Sequence, residues 1–250
     1  MKYKENIKNI LILLSVIIIT MLFFSYQVVI TYDSSHYLWL TSLLTKEGNF
    51  SDWDVARGPI FPMFIRICNI LFGQNTYGLV IGMFTFYVIM LVGCYFIYKD
   101  TIKNEEFFSK KMKWILGILF VVLIVINPMI IGYYHTLLTE FIAITLSVIG
   151  CYLAWKWIDV DFSENKIKYI VYTIILSVLI VVAWQLKQPY VSTILFPVII
   201  ATVISFIRQR NFKNFIQRFS TVLICGIALI AGMKMWNFVL AERKCADKRK

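Results

Sequence analysis

Charged residues in this chain are confined to short stretches between long runs that have almost none. The first run, residues 10–30, contains no Asp, Glu, Lys or Arg. About twenty apolar residues at ~1.5 Å each are enough to cross the hydrocarbon core of a bilayer. Comparable runs follow at 77–98, 114–131, 136–157, 169–186, 190–207 and 219–240. The pattern predicts an all-α fold, a polytopic membrane protein with about seven transmembrane helices. It forms a single transmembrane domain over 1–240 with a basic tail at 241–250.

Between the first two runs lies a segment, 31–76, too long to be a plain connection; such loops are usually functional or carry structure of their own. Tyr37, Leu38, Leu40, Leu43 and Leu44 recur at helical spacing after Asp33, a residue type favoured at helix N-caps. A second apolar stretch, from Pro62 to Phe72, follows Pro59. Both are expected to be short helices lying in the membrane interface, with Trp39 and Trp53 at headgroup level.

Composition agrees with the pattern: 60% of residues are hydrophobic, 16% are charged and the mean hydropathy is +0.75. A net charge of +11 would suit a nucleic-acid binder if the basic residues formed one stripe. They form clusters between spans instead, which excludes nucleic acid as the partner and reads as the positive-inside rule. Lys2, Lys4 and Lys8, the loop "KDTIKNEEFFSKKMK" and the loop "RQRNFKNFIQR" fall on one face if seven spans alternate, and that face is expected to be cytoplasmic. No small-residue cleavage site follows the first run, so it reads as a signal anchor. Segment 31–76 and the turns "GYYHTLLTE" and "KQP" then face outward. The basic tail also lands outside, against the rule. The five cysteines, Cys68, Cys94, Cys151, Cys225 and Cys245, mostly sit inside apolar runs and read as small apolar filler.

The candidate chemistry gathers on the outward face. Both histidines, His36 and His135, belong there, together with Asp33, Arg57, Glu140 and Lys187. Asp33 has two compatible readings: a helix N-cap, or a general base at a cavity mouth where partial desolvation would raise its pKa. Glu140 either complements the dipole of the helix it begins or acts chemically, as ionisable groups at membrane depth often do. His135, five residues before it, leaves a shared metal open without specifying one. Lys187 in "WQLKQPY" is a snorkelling lysine or a cation for a lipid phosphate. Arg57, ahead of "GPIFP", offers a planar fork suited to phosphate or carboxylate. Asp52 and Asp54 read as solvated loop acids, with a supporting role left open. There is no internal repeat, P-loop, dinucleotide fingerprint or Ser/His/Asp arrangement.

The loop "TYDSSHYLWLTSLLTKEG" followed by "ARGPIFPMFI", then "HTLLTEF" and "LKQPY", resembles the GT-C class of membrane glycosyltransferases, which includes protein O-mannosyltransferases and aminoarabinose transferases. The resemblance covers nearly the whole chain and rests on the order and sidedness of loose motifs. It implies inverting transfer from a polyprenyl-phosphate-linked sugar donor at the outer face of a bacterial plasma membrane, to a glycan, lipid or protein acceptor. Asp33 would be the catalytic base, Arg57 and Lys187 would bind the donor phosphate, and Glu140, His36 and His135 would support the site or hold a divalent metal. Many relatives carry a doubled acid where this chain has Asp33-Ser34. Relatives also usually continue past a seventh span, so the expectation is a truncated product, a minimal member, or one part of a split enzyme whose membrane partner supplies the C-terminal elements. The competing expectation is a non-catalytic membrane subunit, or a carrier or flippase for lipid-linked glycans in cell-envelope assembly. A transporter would place polar residues at the middle of several spans, and here the mid-spans are almost purely apolar.

Overall fold

The computed structural model describes residues 2–44, 52–54, 57–103, 108–209 and 212–247, of which 2–13, 209, 213 and 243–247 are described by backbone alone. The helices are α1 (Lys2–Ser25), α2 (Tyr32–Leu43), α3 (Ile60–Phe72), α4 (Thr76–Ile102), α5 (Lys110–Phe120), α6 (Pro128–His135), α7 (Glu140–Ile158), α8 (Lys166–Leu186), α9 (Val191–Gln209) and α10 (Phe212–Asp247). Among the described residues there is no β-strand, only an isolated parallel bridge between Val29 and Thr136. Among the described residues six helical segments are long and apolar enough to cross a membrane: α4, α5 through α6, α7, α8, Gln188–Arg208 and Asn214–Glu242. The chain is an all-α, polytopic membrane protein. α1 runs unbroken over Lys2–Ser25, and its Leu14–Ser25 part is apolar.

Several predicted bounds shift for local reasons. The run at 114–131 is not one straight helix. A π-helical turn, Val121–Val125, links α5 to a break at Asn127, where Pro128 removes an N–H and pushes its predecessor out of helical geometry. Asn127 caps the new helix by accepting from Met129 N at 2.9 Å. The Val125 carbonyl freed near the break accepts from the Tyr87 hydroxyl at 2.6 Å, which satisfies backbone where lipid could not. α7 starts at Glu140, because residues 136–139 are taken up by the bridge and the turn after it.

α7 packs against α4, α8 and α9 and is the most enclosed span. Its interfaces use small and hydroxylated side chains, as expected where lipid supplies no hydrophobic drive for association. A Cβ on Gly150 would sit 3.0 Å from Ile194. Ser147 donates to the Thr193 hydroxyl at 2.7 Å, and the Tyr134 and Thr145 hydroxyls lie 2.6 Å apart. α7 is tied at both ends. Beyond its C-terminus, buried Arg218 of α10 donates to the carbonyls of Trp157, Ile158 and Val160 at 2.9, 2.6 and 3.2 Å. Nearby, Lys156 pairs with Asp100 at 2.5 Å. The opposite end of the bundle carries α2, α3, the 136–139 turn and the short 3-10 turn Gln188–Tyr190.

Candidate functional site

α2 begins with a capping box built from Thr31 and Ser34. The Thr31 hydroxyl accepts from Ser34 N at 3.3 Å, and the Ser34 hydroxyl accepts from Thr31 N at 2.9 Å. This corrects the expectation that Asp33 is the cap. Asp33 sits inside the first turn, where its charge suits the helix dipole but its oxygens are not used by the cap.

Those oxygens face Arg57. Its Nη2 lies 2.9 Å from Asp33 Oδ1, and its Nε lies 3.6 Å from Asp54 Oδ2. The guanidinium carbon is 4.8 Å from the ring centre of Tyr37, which is one turn along α2 from Asp33 and therefore on the same face. Burial works against the charge on Arg57, but hydrogen bonds with Tyr37 and Asp33 outweigh it and raise its pKa. The group is a fixed cation. Its Nη1 is buried and has no hydrogen-bond partner among the described residues. His36 joins from the next turn, with Nε2 3.4 Å from Asp54 Oδ2. Asp54, read from the sequence as a solvated acid, thus bridges Arg57 and His36.

The loop that carries Arg57 is clamped by its neighbours. Trp53 donates its indole N–H to the Arg57 carbonyl at 2.9 Å. Its ring is buried, 5.5 Å from Trp236 of α10. Trp53 packs inside the protein, where its N–H finds a carbonyl and its ring finds another aromatic. Trp39 is exposed. Next to Arg57, a Cβ on Gly58 would collide with the Gln185 carbonyl oxygen. Only a residue without a side chain lets this loop meet the end of α8.

That contact brings the Arg57 loop to the "LKQPY" turn. α8 stops at Leu186, Lys187 is extended, and Gln188 starts the 3-10 turn, with Pro189 at its second position. Lys187 Nζ lies 4.0 Å from Glu140 Oε1. Thr139 Oγ1 lies 3.1 Å from the Tyr190 hydroxyl and 3.5 Å from Glu140 Oε2. The six candidates therefore resolve into an Asp33–Arg57 pair with His36 attached through Asp54, a Glu140–Lys187 pair at the same end of the bundle, and His135 apart from both. The His135 ring is buried 4.2 Å from Phe23, and its carbonyl accepts from Val29 N at 2.8 Å in the isolated bridge. It ends α6 while Glu140 begins α7, so their closeness in sequence does not place them on one helix. Among the described residues no group of three or more His, Cys, Asp or Glu side chains converges on one point.

Tyr37, Tyr190 and Thr139 were not singled out from the sequence. Tyr37 could have been found by its spacing of four from Asp33; Thr139 and Tyr190 carry no comparable signal.

The Gly58 contact gives a direct test of this arrangement. Gly58→Ala is expected to push the Arg57 loop off α8 and to cost about 1–3 kcal/mol, as overpacking typically does. The check is the unfolding midpoint in detergent of Gly58→Ala against wild type. An unchanged midpoint would mean that the loop does not rest on α8. Comparison of the chain with family models, with curated proteins and with solved structures gives no match.

Proposed function

We propose that this chain is a membrane glycosyltransferase using a polyprenyl-phosphate-linked sugar donor, with its site at the Asp33–Arg57 end facing outward. The observation that carries the reading is the pairing of Asp33 with an arginine that still has an unused, buried N–H donor. In the reaction, an acceptor hydroxyl oxygen bonds to the anomeric carbon from the face opposite the phosphate. The bond from that carbon to the phosphate oxygen breaks, and the phosphate leaves with the electron pair. Asp33 takes the hydroxyl proton. Arg57 holds the leaving phosphate through charge-assisted hydrogen bonds, and a phosphate competing for the guanidinium loosens its hold on Asp33. Lys187 adds a second cation, with Glu140 holding its ammonium in place.

Two further features support this. An apolar groove of about 500 Å³ runs between α3, α4 and α7, starting at Ile60 and passing Phe64, Ile67, Leu71 and Phe86. It begins three residues after Arg57, where a prenyl chain tethered by its phosphate would lie. The basic residues Lys103, Lys110, Lys113, Lys166 and Lys168 sit at the ends of α4, α5 and α8 away from the site, a distribution that supports an outward-facing Asp33 by the positive-inside rule.

The second reading is a non-catalytic membrane subunit or lipid-linked glycan carrier. It is favoured by one observation: the Asp33, Arg57, Asp54 and His36 contacts also staple the loop to α2. The two readings separate when the purified chain is given a radiolabelled polyprenyl-phosphate sugar in liposomes. Transfer of label to an acceptor, lowered at least tenfold by Arg57→Ala through loss of donor binding, is expected. Donor binding without transfer, unchanged in Arg57→Ala, would leave the staple as the whole role of the pair.

A further inference from the structure

At the end of the bundle away from Asp33, α5 leans on α4 through a few contacts only. The Tyr98 hydroxyl lies 3.4 Å from the Lys113 carbonyl, and the Tyr98 and Phe120 rings stack 5.1 Å apart. Beside these contacts lies an open groove of about 530 Å³. Its mouth is formed by Lys110, Lys113, Trp114 and Tyr98, and its floor by Gly117 and Val122. Neither lysine has an ion-pair partner among the described residues. Trp114 is 72% exposed at the mouth, although it is among the largest apolar surfaces on the helix.

We propose that this groove is a binding site for an anionic phospholipid of the inner leaflet, its phosphate held by Lys110 and Lys113 and one acyl chain lying along α5. Charge selects the headgroup: two ammonium groups with no ion-pair partner among the described residues meet a phosphate whose lipid keeps a net negative charge, and the first turn of α5 adds its dipole in the same sense. Length selects the leaflet. From Lys110 to Val122 the helix rises about 18 Å, close to half of a ~30 Å hydrocarbon core. The floor is apolar over that distance, and Trp114 suits the boundary between headgroup and chain. The site is independent of the glycosyltransferase reading, because it lies at the other end of the bundle and shares no residue with it.

The test uses the full chain in phosphatidylcholine nanodiscs doped with either dibrominated phosphatidylglycerol or dibrominated phosphatidylcholine, with tryptophan quenching as the readout. Brominated phosphatidylglycerol is expected to quench several-fold more at equal mole fraction, since each lysine near an anionic surface contributes about a fivefold preference. The excess should vanish in Lys110→Gln/Lys113→Gln and persist in Lys166→Gln/Lys168→Gln, which removes equal charge at the same end of the bundle. Equal quenching by both lipids would overturn the proposal, and so would an equal loss of the excess in both double variants. Should the Lys110→Gln/Lys113→Gln chain fail to fold, Trp114→Phe decides: with seven tryptophans in the chain, the headgroup-selective part must disappear with this one, and its survival would place the lipid elsewhere.

Discussion

Asp33→Asn should lower sugar transfer by about 10²–10⁴-fold, the usual contribution of general-base catalysis, while leaving the fold almost untouched. The structure sharpens this test. Thr31 and Ser34 cap α2, so Asp33 can be changed without uncapping the helix. The asparagine carbonyl can still accept from Arg57. The pair it replaces has an Asp33 side chain 41% exposed, and exposed pairs contribute only about 0–1 kcal/mol. What asparagine lacks is a place for the acceptor's proton. The measurement is turnover at saturating donor, set beside donor binding and the unfolding midpoint of the same variant. Turnover near wild type would sink the role of Asp33 as base. A fall in turnover matched by an equal fall in folded protein would sink it as well, because the carboxylate would then be structural.

The long apolar runs were legible because a bilayer asks only for length and the absence of charge. Six of the predicted spans appear as helices of crossing length. The break before Pro128 is signalled by Asn127-Pro128 itself, whereas the π turn at Val121–Val125 sits in a uniformly apolar stretch and has no signal of its own. Caps were legible as a residue class but not in register. "TYDSS" offers Thr and Asp two apart, and both cap well; Ser34 decides for Thr31 because its hydroxyl reaches back to Thr31 N. The alternation of spans brings Asp33, Arg57, Glu140 and Lys187 to one end of the molecule, since it leaves little freedom there. It could not say which acid pairs with which base. That depends on Gly58 meeting Gln185 and on Trp53 turning inward to Trp236, contacts between segments more than a hundred residues apart. Asp54 was undervalued for the same reason: an acid in a polar loop looks solvated until the loop folds back.

Arg218 shows the same limit most clearly, and it carries the largest expected effect on stability. In the sequence it closes "RQRNFKNFIQR", where it counts as one more positive-inside charge. In the structure it is 3% exposed. Its two terminal nitrogens donate to two carbonyls of the last turn of α7 and one just beyond it, and its guanidinium carbon lies 5.0 Å from the Trp157 ring centre. The last carbonyls of a helix have no partners within it, and here the surroundings are Trp157, Ile158 and Tyr169 rather than water. Removing the fork leaves the Ile158 and Val160 carbonyls buried without this donor, each costing about 1–3 kcal/mol before relaxation, while the Trp157 carbonyl keeps Val160 N at 3.1 Å. Arg218→Met keeps much of the apolar stem and is therefore expected to lose about 3–5 kcal/mol. Arg218→Lys should recover only part of this, because a single ammonium cannot reach three carbonyls arranged for a planar fork. A snorkelling arginine behaves differently: lysine would replace it fully, and methionine would cost less than about 1 kcal/mol, like most surface changes. Denaturant unfolding of the three proteins in detergent, followed by tryptophan fluorescence, separates the two cases. Equal midpoints for arginine and lysine would return Arg218 to the surface charges. A graded loss, with turnover per folded molecule unchanged because the site lies at the far end of α7, is the result expected of a clamp.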